Sequence, residues 1–189
     1  AGIPVDDDNL VVRALRLADK SARVTVTKNI PHGGGLGGGS ADAAAILAWA
    51  KFDDVERASR LGADIPFCLV GGRARVRGIG EIIEPLPFAA RDFTLVIPPF
   101  GVSTPAVYRA WDSLPESQRH LGVNHLERAA LEVEPRLIEW RERIQRASGI
   151  EPVLAGSGAT WWLAGSHPQL ADELHDARVL VTKSAYLRR

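Results

Sequence analysis

The chain has 189 residues, 46% of them hydrophobic and 24% charged, a composition typical of globular proteins and long enough for one large domain or two small ones. Lysine plus arginine equals aspartate plus glutamate at 23 each, so no global field draws the chain to nucleic acid or an anionic membrane. Its apolar runs are too short to span a bilayer and its opening residues do not read as a signal peptide. The single cysteine, Cys68, excludes an internal disulfide and favours a reducing, cytoplasmic setting.

The chain opens on Ala1, which reads as a processed product or a piece of something longer. Residues 1–9 read as a loop, with Asp8 or Asn9 as N-cap of a helix over 10–17. The alternating, β-branched stretch 22–28 predicts a strand with one buried face. A glycine-rich run, 33–40, follows directly. Residues 41–50 are small, apolar and free of glycine and proline, and predict a buried helix. A more polar helix over 53–61 leads to Gly62, Ala63, Asp64, Ile65 and Pro66.

Residues 67–70 predict a short apolar strand holding Cys68 in the core, Gly71 and Gly72 a turn, and 73–77 another strand. Residues 93–97 predict a strand stopped by Pro98 and Pro99, with a domain boundary just before it, near Arg91. Stretches 104–112 and 124–148 are mainly helical in pattern. Val153 and Leu154 lead into a turn, 156–160, and an apolar stretch, 161–164, where one of Trp161 and Trp162 points in and the other out. A helix over 167–176 and a strand over 179–182 end the prediction. No repeat is evident, and the five histidines show no pair at metal-ligand spacing.

The run Gly33, Gly34, Gly35, Leu36, Gly37, Gly38, Gly39, Ser40 carries the strongest functional signal. Glycines let backbone N–H groups close around an anion, and a helix starting near Ser40 turns its positive end to the same spot. Triphosphate suits that geometry, with Ser40 available to ligate Mg²⁺ or bond a phosphate oxygen. A flexible linker is the plainer reading, but linkers do not usually sit between a strand and a buried helix. The run has no Walker lysine. A G-x-G-x-x-G spacing through Gly33, Gly35 and Gly38 says little in so rich a run, and no ribose-binding acid follows it.

Pro31, His32, the run 33–40 and Ala41 resemble the phosphate loop of the GHMP kinase superfamily. Further motifs, in family order, are Asp8-Asn9-Leu10, Gly62-Ala63-Asp64-Ile65-Pro66, Gly78-Ile79-Gly80-Glu81, Thr104-Pro105 and Gly156-Ser157-Gly158. Together they are similar to the branch acting on 4-diphosphocytidyl-2-C-methyl-D-erythritol in non-mevalonate isoprenoid synthesis.

The resemblance implies an α+β fold in two lobes, 1–91 and 92–189, with the first strands of the N-terminal lobe missing. It implies ATP and Mg²⁺ in a cleft, a small-molecule acceptor, and phosphorylation of its 2-hydroxyl. It assigns ATP contacts to Pro31, His32, Gly33, Gly34, Gly35, Leu36, Gly37, Gly38, Gly39, Ser40 and Ala41. Asp64 becomes the catalytic base, facing one cavity with Thr104, and Thr104, Tyr108 and Ile79 become acceptor contacts.

Read from the residues alone, Asp64 is equally a turn or N-cap aspartate, and Thr104 an N-cap with Pro105 after it. Tyr108, at i+4 from Thr104, is equally a core aromatic, and 156–160 an ordinary tight turn. The family's catalytic lysine lies upstream of anything present, and Lys28 is in the wrong place to replace it. The stretch 50–53 is also short for the family. This chain alone is therefore expected to be weak or inactive. The rival readings are another GHMP kinase, of homoserine or mevalonate type, and a non-catalytic nucleotide-binding fragment. Neither a nucleic-acid nor a membrane partner is expected.

Overall fold

The computed structural model describes residues 7–185; the predicted loop over 1–6 lies outside them. The chain divides into two compact units. Unit 1 comprises Ala1–His32, Gly37–Ala89 and Ala185–Arg189, and unit 2 comprises Gly33–Leu36 and Ala90–Ser184. The first four residues of the glycine run thus group with unit 2, while Gly37 onward groups with unit 1.

Unit 1 opens with α1 (Leu10–Leu17), capped by Asn9, whose Oδ1 accepts from Val11 N at 2.9 Å. Helix α2 (Gly38–Trp49) begins at Gly38, three residues before the predicted 41–50, because Gly37 takes the left-handed φ of 64° that ends the loop. Its Ala43, Ala44 and Leu47 are buried, but Trp49 is exposed, so α2 is buried along one stripe rather than all round. Asp54 caps α3 (Val55–Leu61) by accepting from Arg57 N at 2.9 Å. The core of unit 1 joins Ala14, Ala43, Ala44, Leu47, Ala58, Ile65 and Leu69.

Two expectations fail in unit 1. Residues 67–70 are not a strand but belong to helix α4 (Ile65–Val70), closed by Cys68 N donating to Asp64 O and Gly71 N to Phe67 O. A four-residue apolar run has no readable period, and Pro66 in the first turn favours the helix. Cys68 is accordingly half-buried against the helical core, and burial pushes its thiol pKa up, with the Asp64 charge adding to the shift. Residues 22–28 form no strand either. A ladder needs a neighbour for its N–H and C=O groups, and among the described residues no strand runs beside this segment. Its Val24 and Val26 are exposed.

Unit 1 ends in a hairpin of β1 (Arg73–Arg77) and β2 (Ile82–Leu86), antiparallel with Val76 opposite Ile83. Strand β2 carries no strand pattern of its own, since Pro85 and Glu84 hide it.

Unit 2 is an antiparallel sheet with helices. Strand β3 (Asp92–Ile97) is central. It pairs with β5 (Trp161–Ala164) on one side and β6 (Arg178–Lys183) on the other, and β4 (Val153–Leu154) extends the β5 edge. Register sets Val96 opposite Trp161 and Thr94 opposite Leu163, and all four are buried. Trp162, a residue on from Trp161, takes the other face and meets Phe93 edge-on at 5.7 Å. Buried Thr94 is satisfied: its Oγ1 donates to Gly165 O and accepts from His167 N, both at 2.9 Å.

The helices are α5 (Thr104–Ser113), α6 (Glu116–Arg119), α7 (Glu127–Val133), α8 (Arg136–Ser148) and α9 (Leu170–Glu173). Pro135 splits the predicted 124–148 stretch into α7 and α8, and the predicted 167–176 helix shrinks to one turn. Val107, Leu137, Trp140, Ile144, Leu154, Trp161 and Leu163 pack in its core. No helix among the described residues is long and apolar enough to cross a membrane.

Candidate active site

Within unit 1, the glycine run ends at the start of α2. The first i→i−4 bond there is Ala41 N to Gly37 O at 2.9 Å, which leaves the N–H groups of Gly38, Gly39 and Ser40 pointing out of the helix end. That end carries the positive pole of a twelve-residue helix. The Ser40 side chain has no hydrogen-bond partner among the described residues. Lys28 adds an ammonium nearby. It pairs with Asp42 of α2 at 2.6 Å, and a β-carbon on Gly38 would stand 3.7 Å from its Nζ. Lys28 precedes the loop and does not stand where the family's catalytic lysine would; what the sequence does not show is its ion pair with Asp42.

Asp64 occupies the N-cap position of α4, but its side chain makes no capping bond. It is exposed, and among the described residues it has no hydrogen-bond or ion-pair partner. Its carboxylate instead faces the glycine run: a β-carbon on Gly37 would lie 3.9 Å from Asp64 Oδ2. Gly80 packs on the same segment. With φ of 106°, a β-carbon there would come within 2.0 Å of Ala63 O, so only glycine fits. The neighbouring Ile79 is 59% exposed, its N–H bonded to Glu81 Oε2 at 2.7 Å.

Within unit 2, Ser103, not Thr104, is the N-cap of α5, and it makes no capping bond. Thr104 is the first helical residue, and its Oγ1 lies 2.8 Å from Ser157 Oγ. Ser157 is buried in the turn 156–160, which is therefore more than a connection between β4 and β5. Tyr108, one helical turn after Thr104, is 52% exposed, which removes the reading of it as a core aromatic. The same turn holds the first half of the glycine run. Gly33 O accepts from both Val102 N and Ala159 N at 3.0 Å, and Gly34 O from Thr160 N at 3.2 Å. Among the described residues no group of three or more histidine, cysteine or acidic side chains converges to hold a metal. His120 and His125 do meet, Nδ1 to Nδ1 at 3.4 Å, a contact the scattered spacing concealed.

The glycine run feeds the N-terminus of α2 with the unpaired Asp64 carboxylate beside it, and both lie in a segment of the GHMP kinase class. Residues 9–72 match the family described as "GHMP kinases N terminal domain". The chain is 38% identical over 177 residues to the 4-diphosphocytidyl-2-C-methyl-D-erythritol kinase of Paracoccus denitrificans, covering 84% of this chain and 64% of the relative. It is 31% identical over 211 residues to the kinase of the same name from Carboxydothermus hydrogenoformans, covering 93% and 73%. A solved 4-(cytidine 5'-diphospho)-2C-methyl-D-erythritol kinase superposes with a TM-score of 0.74 at 30% identity, over 98% of this chain and 81% of that one. A homoserine kinase from Cytophaga hutchinsonii shares the fold, with a TM-score of 0.62 at 16% identity.

The chain belongs to the 4-diphosphocytidyl-2-C-methyl-D-erythritol kinase family of GHMP kinases. It spans 64% of the length of the Paracoccus relative, a little under two thirds.

Proposed function

We propose that the protein transfers the γ-phosphoryl group of ATP to the 2-hydroxyl of 4-diphosphocytidyl-2-C-methyl-D-erythritol, in the cytoplasm. The observation that carries this is the α2 N-terminus, which no side chain caps, with the unpaired Asp64 carboxylate turned toward Gly37, in a chain of this family.

In this reading Pro31, His32, Gly33, Gly34, Gly35, Leu36, Gly37, Gly38, Gly39, Ser40 and Ala41 form the ATP loop. The backbone N–H groups of Gly33 to Ser40 bind the phosphates and hold the γ-phosphorus for in-line attack. The acceptor oxygen bonds to that phosphorus, the bond to the β-phosphate oxygen breaks, and ADP leaves. Asp64 accepts the hydroxyl proton. Thr104 and Ile79 hold the acceptor, and the exposed Tyr108 ring stacks on its cytosine.

Mg²⁺ fits these donors, since it takes one or two protein oxygens together with phosphate oxygens and water, and the unbonded Ser40 hydroxyl would be one of them. It would neutralise charge on the transferring phosphoryl group.

The test is ADP release by the purified chain with ATP and a panel of acceptors, at protein concentrations high enough to detect the weak turnover expected of it. The diphosphocytidyl alcohol should be the preferred acceptor, and Asp64→Asn should lower kcat by about 10²–10⁴ with nucleotide affinity kept. Preference for homoserine or a mevalonate derivative would reassign the acceptor. Unchanged kcat in Asp64→Asn would remove the base.

A further inference from the structure

We infer that Asn124 is a positioning residue for the phosphate loop. This rests on the reading of 33–40 as that loop.

Asn124 lies just before α7 and far in sequence from every motif. Its Nδ2 donates to two carbonyls of the β4–β5 connection, Leu154 O at 2.9 Å and Gly156 O at 2.7 Å. Its Oδ1 accepts from Leu126 N at 3.0 Å, an ordinary Asx turn. The acceptor half therefore serves the local turn, whereas the donor half reaches across some thirty residues of chain.

Those two carbonyls flank Ala155, the residue against which the glycine run is seated. A β-carbon on Gly35 would come within 1.9 Å of Ala155 O and 2.9 Å of Gly158 N. From the other side, Ala159 N and Thr160 N donate to Gly33 O and Gly34 O. The first half of the loop is thus fixed by backbone groups of 155–160, and the Asn124 amide fixes that turn from behind. An error in the turn passes directly into the loop, because backbone pressed on backbone leaves no side chain to absorb it.

Asn124→Asp separates the two halves of the side chain. It keeps the Oδ1 acceptor for Leu126 N and replaces the double donor with an oxygen facing two carbonyls. A role limited to the Asx turn survives this change. Two measurements are made: hydrogen exchange at the Ala159 and Thr160 amides, and ATP affinity by calorimetry.

The expected result is loss of protection at those two amides with the β3–β6 ladder still protected. ATP affinity should fall about tenfold, the size of losing roughly one ordinary hydrogen bond's net contribution. If Asn124→Asp does not fold, Asn124→Ala under the same two measurements decides. Wild-type protection and wild-type ATP affinity in the folded variant overturn the role of Asn124. An unaltered chain that fails to bind ATP overturns the phosphate-loop reading instead.

Discussion

The two units solve the problem of a core differently. Among the described residues, the buried cluster of unit 2 has fifteen members, including Trp140 and Trp161, wedged between a four-stranded sheet and its helices. The cluster of unit 1 has seven, four of them alanine, and its extended segment 22–28 lies unladdered with Val24 and Val26 exposed. Small side chains let helices approach closely but remove little apolar surface from water. The glycine run draws on both units: Gly33–Leu36 is bonded into the well-packed unit, and Gly37 onward starts a helix in the sparse one. The conformation of the loop's first half is therefore inherited from unit 2, and its second half is the start of α2.

Breaking the inherited half should have the largest effect. Gly35→Val drives a branched side chain at φ of 72° into Ala155 O, where even a β-carbon would sit at 1.9 Å. The expected outcome is undetectable ATP binding by calorimetry. Gly149→Val is the control. It has the same φ of 72° with nothing within 4 Å of the added atom, so backbone strain alone is tested there. Equal losses of ATP affinity in the two variants would mean that close packing against 155–160 is irrelevant.

The cores themselves come next. Trp161→Ala should cost about 3–5 kcal/mol and Leu47→Ala about 2–5 kcal/mol, since both side chains are fully buried. Native-state hydrogen exchange sharpens the contrast. Trp161→Ala should expose the β3 ladder amides and spare α2, and Leu47→Ala should do the reverse. Matched loss across both sets would show that the two clusters melt as one.

What the sequence made legible divides by locality rather than by unit. The glycine run, α1 with a cap at Asp8 or Asn9, and β3 could be read because each depends on local chemistry: φ freedom, an N-cap, a period-2 pattern. Residues 22–28 carry a strand pattern, yet a ladder is a relation between segments and no partner strand lies beside them among the described residues. Residues 67–70 failed for a different reason, as four apolar residues fit a buried strand and a helical turn equally well. Of the site, Asp64 was legible through its motif, and its approach to Gly37 was not. The Thr104–Ser157 bond joins residues 53 apart, and Asn124 looks like any asparagine before a helix. Nothing in one sequence marks such tertiary pairs.

A smaller effect is expected at the caps. Asp54→Ala removes the acceptor for Arg57 N at the head of α3 and should cost about 1 kcal/mol in urea unfolding. Because the sparse unit has less packing to hold α3 once the cap is gone, the loss should show as fraying of that helix. A loss well below this value would show that packing alone holds α3.

The smallest effect belongs to the surface of the well-packed unit. Arg143 forks onto Asp176, Nη1 to Oδ2 at 2.9 Å and Nη2 to Oδ1 at 2.6 Å, with its guanidinium stacked 4.3 Å from the Trp140 ring centroid. The hydrogen bonds from Arg143 hold the Asp176 carboxyl below the usual carboxylate range. The folded state therefore binds this proton less readily than the unfolded chain does. The stabilisation is fully present above the unfolded pKa, about 4, and is lost as pH falls through the depressed folded value. Asp176 is more than half exposed, so solvent screening limits the pair to a few tenths of a kcal/mol, about 0.5 at neutral pH. Asp176→Asn should lower the urea midpoint slightly at pH 7, by an amount that vanishes as pH falls through the depressed folded value of the wild-type carboxyl. Added salt should shrink the difference at pH 7. A deficit that persists in acid would mean that the side chain acts by packing against Arg143 rather than by its charge, and the ion pair would drop out of the account of unit 2.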